Sequence, residues 1–268
     1  MAATRTSETR LSDEDVAKVM GLIKGSDSVE LKLTVPESEH SGTVSALEMD
    51  PLDAQIRQVF FFDTPDLTLY EHGVVARARR VQRKGDDSVV KLRPVVPSQL
   101  PGRVRKLPEF GVEVDAMPGG FVCSGSMKGV PGQDVRETLL GQRRKSKLFS
   151  KAQQAFYAEH APEGIELDDL SILGPIFILK SAFQTALVGH AGAPERRMVA
   201  EMWLYPDGSR ILEMSLKCLP ADAFQVAAET RAYLAVEVQH VRRQEAGQRA
   251  GAKPEWRAQH TPGDATES

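Results

Sequence analysis

The feature that most constrains the fold is a repeated alternation of charged and apolar residues along short β-type segments. In the first of them, 28–33, Glu30 and Lys32 alternate with valine and leucine. Successive side chains of a strand point to opposite faces, so the two charged residues share one face. The same alternation recurs in four further segments, at 74–79, 89–93, 112–115 and 212–217. Together they predict a sheet with one apolar face and one face that carries charges of both signs.

Charge is unevenly distributed along the chain. The 268 residues have a formal net charge of −3, which excludes a general nucleic-acid binder. Between residues 73 and 106, however, ten Lys and Arg residues stand against two Asp residues, a local net charge of +8. An imbalance of this size indicates either an anionic ligand or a solvated basic edge.

Several classes of protein and site are disfavoured by composition. Cys123 and Cys218 form no CxxC pattern, and the six histidines show no HxxxH spacing, which argues against structural zinc and fits a reducing compartment. No apolar run approaches the roughly 20 residues of a membrane span. The N-terminus lacks the apolar core of a signal peptide. We therefore expect a cytoplasmic protein without a membrane or nucleic-acid partner. No Walker loop, GxGxxG, GxSxG or HExxH motif is present.

Local signals predict an α+β protein in which strands dominate. Besides the strand at 29–35, strands are expected at about 56–62, 74–82, 88–94, 111–115 and 176–180, with a hairpin of 197–205 and 209–217. Helices are expected at 13–24, 134–141, 144–161 and 221–245, and loops at 36–54 and 94–110. The expected organisation is an N-terminal extension with one helix (1–27), a single domain (28–245) and a disordered tail (246–268).

One short segment links the second strand to the third. Asp63-Thr64-Pro65 predicts the start of a short helix, with a capping residue ahead of a first-turn proline. Leu67 and Tyr70 are expected to anchor this helix in the core. Gly73 is expected to end it.

This segment belongs to a run with a more specific resemblance. Phe61-Phe62-Asp63-Thr64-Pro65-Asp66-Leu67, then Leu69 and Gly73-x-x-x-Arg77-x-Arg79, resembles the YFDTPD…L…G…LRxR segment of CYTH domains. These are the triphosphate tunnel metalloenzymes, which include class IV adenylate cyclases, thiamine triphosphatases and inorganic tripolyphosphatases. Val89-Val90-Lys91 resembles the next strand of that family, and later charged strands follow in family order. The resemblance extends over about residues 29–217.

The resemblance implies a closed antiparallel β-barrel of about eight strands, a tunnel with a charged lumen. Closure would remove exposed strand edges. Helices would cover the apolar outer surface. The domain over 28–245 would then be a tunnel domain.

The resemblance also implies a ligand and two sets of binding residues. Lys and Arg neutralise and orient a triphosphate, and Arg can bind two oxygens at once. The candidate phosphate-binding residues are Lys32, Arg77, Arg79, Lys91, Arg93, Lys180 and Lys217. Mg²⁺ or Mn²⁺ takes carboxylates and waters as ligands. The candidate metal ligands are Glu30, Glu113, Asp115, Glu201 and Glu213. The alternative for each residue is a salt bridge that balances charge in the barrel.

The chain departs from the family pattern at two acidic positions. The family signature opens as ExExK, and this chain has Ser28 in place of the first acid. Ser215 stands where many members carry a second acid on the last strand, and Ala182 where an Arg is often found. Two hypotheses follow: metal-dependent hydrolysis of inorganic tripolyphosphate or an organic triphosphate, and non-catalytic binding of polyphosphate or a phosphorylated ligand. Adenylate cyclase activity is a weaker third, because no feature marks a pocket for a nucleotide base.

Overall fold

Nine strands close into a barrel in the computed structural model, which describes residues 12–47, 49–50, 52–130, 135–185 and 196–234. The strands are β1 (Ser28–Val35), β2 (Gln55–Asp63), β3 (Val74–Val81), β4 (Asp87–Leu92), β5 (Phe110–Met117), β6 (Gly120–Gly129), β7 (Ser171–Thr185), β8 (Arg196–Leu204) and β9 (Arg210–Cys218). Around the barrel they follow the order β1-β5-β6-β4-β3-β2-β7-β8-β9, and β9 pairs with β1. The expected closed barrel is confirmed, with nine strands instead of about eight.

One seam of the barrel is parallel. β1 pairs in parallel with β5, whereas the other neighbouring strands pair antiparallel. The expectation of a purely antiparallel barrel is therefore corrected at this seam. Parallel neighbours need a long crossover, and here the chain forms β2, β3 and β4 before it returns to β1.

The two faces of the barrel wall differ as the alternation predicts. Glu30 lies opposite Asp115 on one side and Lys217 on the other, so these charged side chains share the inner face. Val29 lies opposite Val114 and Cys218, and these residues are buried on the outer face. The barrel therefore encloses charge and presents apolar residues to the helices around it.

Helices cover the outer face in two apolar clusters. They are α1 (Asp13–Lys24), α2 (His40–Ala46), α3 (Thr68–Glu71), α4 (Gly102–Arg105), α5 (Val135–Leu139), α6 (Lys151–His160) and a helix over 223–234. One cluster joins the outer faces of β2, β3 and β4 to α3, α5 and α6. The other joins β1, β5, β8 and β9 to α1 and the helix over 223–234. None of the described helices combines the length and apolar character needed to cross a bilayer.

Capping residues set the helix boundaries. The Ser12 side chain accepts a hydrogen bond from the backbone of Asp15, and α1 ends at Gly25, as expected. The predicted helix over 144–161 is divided, because Ser150 is extended and forms a capping box with Gln153. Residues Lys145–Leu148 form a separate 3-10 turn.

Buried Gln153 also fixes α6 to the barrel. Its side-chain amide donates to the carbonyl oxygen of Met127, and its side-chain oxygen accepts from the Ser88 hydroxyl, both at 3.0 Å. These bonds satisfy a side chain that has no solvent contact.

The main errors of the sequence-based prediction lie in small-residue and proline-rich stretches. β6 was not predicted. The expected loops contain 3-10 turns at Glu37–Glu39 and Pro97–Gln99, together with α2 and α4. β7 begins at Ser171, before a Gly-Pro pair that suggests a turn, and its pairing with β2 shifts register there. The expected tail at 246–268, the first residues of the N-terminal extension and the end of the last helix lie outside the described residues.

Asp63 organises the turn between β2 and β3. Its carboxylate accepts hydrogen bonds from the backbone N–H groups of Thr64, Leu69 and Tyr70, at 2.7 to 3.0 Å. Leu69, fully buried, anchors α3. The expected anchors Leu67 and Tyr70 are instead 42% and 72% exposed. The most distinctive part of the motif is therefore structural.

We predict that Asp63→Ala lowers the free energy of unfolding by on the order of 3 kcal/mol, because it leaves three backbone donors without their charged acceptor. Asp66→Ala is the matched control. The Asp66 carboxylate contacts the exposed hydroxyl of Thr68, so its loss should cost less than about 0.5 kcal/mol. Urea unfolding measures the free energy of unfolding of both variants, and an equal loss in the two would contradict the capping role of Asp63.

Candidate functional site

Three carboxylates from two neighbouring strands meet inside the barrel. Glu30 on β1 and Glu113 and Asp115 on β5 each place an oxygen within 4.8 Å of the others. The parallel seam creates this meeting, since it sets Glu30 opposite Asp115 and Ser28 opposite Glu113. Asp115 is 1% exposed, and neither of its oxygens has a hydrogen bond. A buried carboxylate in that state is costly unless a ligand or an ion satisfies it.

Each carboxylate of this acidic cluster has one basic neighbour. Arg93 Nη1 lies 2.8 Å from Asp115 Oδ2, close enough for an ion pair but not aligned for a hydrogen bond. Lys32 Nζ lies 3.6 Å from Glu30 Oε2, and the Lys217 ammonium contacts Glu113 Oε2. The acidic cluster is thus electrically balanced by its surroundings.

Glu30 and Glu113 do not ionise alike. Burial raises the pKa of Glu30, and the Glu113 and Asp115 charges push it the same way, against the attraction of Lys32. Burial also acts to raise the pKa of Glu113, but the hydrogen bond and charge of Lys217 outweigh it and lower that pKa overall. Glu113 therefore ionises more readily than Glu30.

Two lumen cations have no side-chain contact with an acid among the described residues. Neither Arg77 on β3 nor Lys91 on β4 makes an ion pair or hydrogen bond with any residue that the structure describes, and Arg77 Nε is buried. Burial, with the charge of Arg79, lowers the pKa of Arg77 to about 10. Burial likewise lowers the pKa of Lys91, against the attraction of Asp115. With a pKa of about 10, Arg77 is still cationic at neutral pH, and the unused donors of Arg77 and Lys91 suit an anion.

The other predicted phosphate-binding residues are engaged with acids. Arg79 binds Asp87 through Nε and Nη2 at 2.7 to 3.1 Å. Lys180 Nζ lies 3.0 Å from Glu201 Oε1. Lys32, beside Glu30, also donates to Glu213 at 3.2 Å. These cations would have to exchange partners to bind a phosphate.

Glu201 and Glu213 lie apart from the acidic cluster. They face each other across β8 and β9, and each holds a basic side chain of the wall. The structure thus brings together three of the five predicted metal ligands. The other two lie where they balance charge.

Sequence reasoning missed three lumen residues. Arg57 on β2 lies 3.4 Å from Glu201. The next residues on the same face of that strand are valine and phenylalanine, so the sequence shows no repeated charge there. Asp87 precedes the strand predicted at 88–94, and it opens β4. Ser124 lies opposite Glu113 with a fully buried hydroxyl that has no partner among the described residues.

The two serines at expected acid positions also face the lumen. Ser28 donates its hydroxyl to Glu113 Oε2 at 3.2 Å, and Ser215 lies opposite Lys32. Ser28 therefore borders the acidic cluster without adding charge to it.

Comparison with solved structures finds proteins of similar fold. No family model and no curated protein sequence matches the chain. A solved structure from Hippeastrum, described as an adenylyl cyclase candidate with dominant triphosphatase activity, is 16% identical with a TM-score of 0.53, over 78% of this chain and 86% of that chain. Adenylate cyclase candidates from Bacillus halodurans (TM-score 0.45, 13% identity, 81% of this chain and 90% of that chain) and Vibrio parahaemolyticus (0.37, 14%, 80% and 88%) also match. The first likeness shows a shared fold, in agreement with the expected tunnel barrel.

We predict that tripolyphosphate raises the melting temperature of the wild type, because a ligand that binds only the folded state stabilises it, and that Arg77→Met removes most of this rise. The ligand-free variant should melt higher than the wild type, since a buried and unpaired cation is gone. Arg79→Met should retain more of the shift, because Arg79 is already held by Asp87. A full tripolyphosphate shift in Arg77→Met, measured by differential scanning fluorimetry, would contradict the anion site.

Proposed function

We propose that the protein hydrolyses a triphosphate, inorganic or organic, inside the barrel with the help of Mg²⁺ or Mn²⁺. The observation that carries this proposal is that one lumen holds a three-carboxylate cluster with a buried Asp115 and two cations, Arg77 and Lys91. Among the described residues, Asp115 has no hydrogen bond, and the two cations have neither a hydrogen bond nor an ion pair. The Hippeastrum structure of the same fold, described as having dominant triphosphatase activity, supports it.

The acidic cluster fits a hard divalent cation. Carboxylate oxygens are the ligands that Mg²⁺ and Mn²⁺ prefer, and Glu30, Glu113 and Asp115 supply three of them. The unsatisfied oxygens of Asp115 are the strongest sign of a missing partner. When bound, such a cation would neutralise charge on the phosphoryl group and lower the pKa of a bound water.

The basic residues of the wall would bind and orient the phosphates. Arg77 and Lys91 are available at once, and Arg77 can bind two oxygens. The remaining candidates (Lys32, Arg79, Arg93, Lys180 and Lys217) would join by leaving their acidic partners. Glu201 and Glu213 would then hold the basic wall in place rather than ligate the metal.

Non-catalytic binding is the second candidate function. Ser28 and Ser215 stand where acids are expected, so the lumen has less negative charge to hold a cation. The two functions differ in turnover, since a binding module would bind the anion and release no phosphate. We also propose a cytoplasmic location, which the free and buried Cys123 and Cys218 support.

The test is phosphate release from tripolyphosphate, thiamine triphosphate and ATP, with Mg²⁺, with Mn²⁺ and with a chelator. We predict metal-dependent release, lost with chelator, and a decrease on the order of 100-fold in Arg77→Met, because a cation that stabilises developing charge is gone. Lys151→Met removes an exposed charge from α6 and should leave the rate unchanged. Anion binding without any phosphate release would establish the binding module, and cyclic AMP formed from ATP would establish the cyclase.

A second variant tests the metal site through Ser28. Its hydroxyl is 3.2 Å from Glu113 Oε2, so Ser28→Glu adds a fourth carboxylate to the acidic cluster. We predict that Ser28→Glu binds Mn²⁺ roughly tenfold more tightly, because each added carboxylate raises affinity where water is scarce.

Glu30→Gln should weaken Mn²⁺ binding for the converse reason. The control for total charge is Ser98→Glu, at an exposed position outside the barrel lumen. Calorimetric titration of Mn²⁺ compares the variants. Equal affinity in Ser28→Glu and Ser98→Glu would argue against a cation at this cluster.

A further inference from the structure

Each carboxylate of the acidic cluster has a basic side chain in contact with it, and one of these, Lys32, also donates to Glu213. Asp115 faces Arg93, Glu30 faces Lys32, and Glu113 faces Lys217. Lys91 adds a fourth cation, whose charge interacts with Asp115 and Glu113. The carboxylates therefore have their charge already balanced before any ligand enters.

This balance weakens the attraction for a free divalent cation. A cation that approaches the cluster meets three carboxylates and four positive side chains within the same wall. Interactions between charges that are partly buried are screened little by salt, so the basic residues oppose its entry directly. The cation can bind well only when some of the basic residues turn away from the acids.

A polyphosphate can draw the basic residues away from the carboxylates. Arg77 Nε, which has no hydrogen-bond partner among the described residues, and the neighbouring Lys91 offer donors at which the anion can first bind. Its remaining oxygens then compete with the carboxylates for the flexible basic side chains. Lys217 is the most exposed of the three paired cations, since its side chain is 49% exposed where it reaches Glu113 from the last strand. Each cation drawn to phosphate uncovers a carboxylate.

We propose that these basic residues act as internal counter-ions which make metal binding depend on the polyphosphate: the anion takes Lys32, Arg93 and Lys217 from the acidic cluster and so opens the metal site. The inference rests on the proposed function and concerns how its two ligands communicate. The coupling is reciprocal, so the metal strengthens anion binding by the same factor. The protein would thus hold little metal until its substrate arrives.

The first experiment measures coupling in the wild type. Free Mn²⁺ is followed by electron paramagnetic resonance in titrations with and without imidotriphosphate, an analogue with non-hydrolysable bridges. Because the analogue also chelates Mn²⁺ in solution, the same titrations are made with Asp115→Asn, for which the solution chemistry is identical. For each protein, the analogue enhances Mn²⁺ binding by some factor. The factor for the wild type divided by the factor for Asp115→Asn is the coupling within the protein, which we expect to be on the order of tenfold or more.

The second experiment removes one counter-ion. Lys217→Met frees Glu113 and should tighten Mn²⁺ binding without anion by about tenfold, while the coupling factor falls. Lys151→Met lowers the net charge equally from outside the barrel and should change neither value. A structural role alone for Lys217 would not move the coupling factor. If Lys217→Met does not fold, Arg93→Met makes the same test at Asp115.

The outcomes separate this inference from the function on which it rests. Tight Mn²⁺ binding by the wild type with no gain from the analogue overturns the coupling. Unchanged Mn²⁺ affinity in folded Lys217→Met overturns the counter-ion role. In both cases an analogue that still binds leaves the proposed anion site intact. An analogue that does not bind the wild type, with or without Mn²⁺, overturns the proposed function and the coupling together.

Discussion

The structure depends on one constraint, which is that the inner face of a closed barrel is enclosed, whereas one face of an open sheet can lie in bulk water. Because charged and apolar residues alternate along the strands, every charged residue of the inner face must find a partner inside the lumen. The structure meets this demand with ion pairs such as Arg79–Asp87 and Lys180–Glu201 around the wall. The exceptions are then informative. Arg77 Nε and both oxygens of Asp115 are among the buried polar atoms that have no hydrogen-bond partner in the part of the chain that the structure describes.

The parallel seam between β1 and β5 brings the acids of the inner face together. Carboxylates on two adjacent strands would repel one another if nearby cations did not balance their charge. Here β9 and β4 bring Lys217 and Lys91 to the same region, so the acids persist as a cluster. Under the proposed function, stability and ligand binding would therefore depend on the same residues. Such a binding site would be held in place by charges that its own ligands can replace.

The sequence predicted the charged inner face well, because a two-residue period is a local property of each strand. It could not predict that β1 would pair in parallel with β5, which depends on contacts between residues 85 positions apart, as for Ser28 and Glu113. For the same reason it could not separate the free cation Arg77 from the paired Arg79 two residues later. β6 escaped prediction because its inner residues Ser124 and Ser126 are small and give no apolar alternation.

The serine at position 28 shows how charge balance bears on function. In the ligand-free protein its hydroxyl donates to Glu113, beside an ammonium that already neutralises that carboxylate. A glutamate there would add a negative charge beside Glu113, so it would favour a cation in the resting state. The neutral serine keeps the cluster balanced. The departure that suggested a weakened metal site is thus equally what a site requires if its metal is to enter together with the anion.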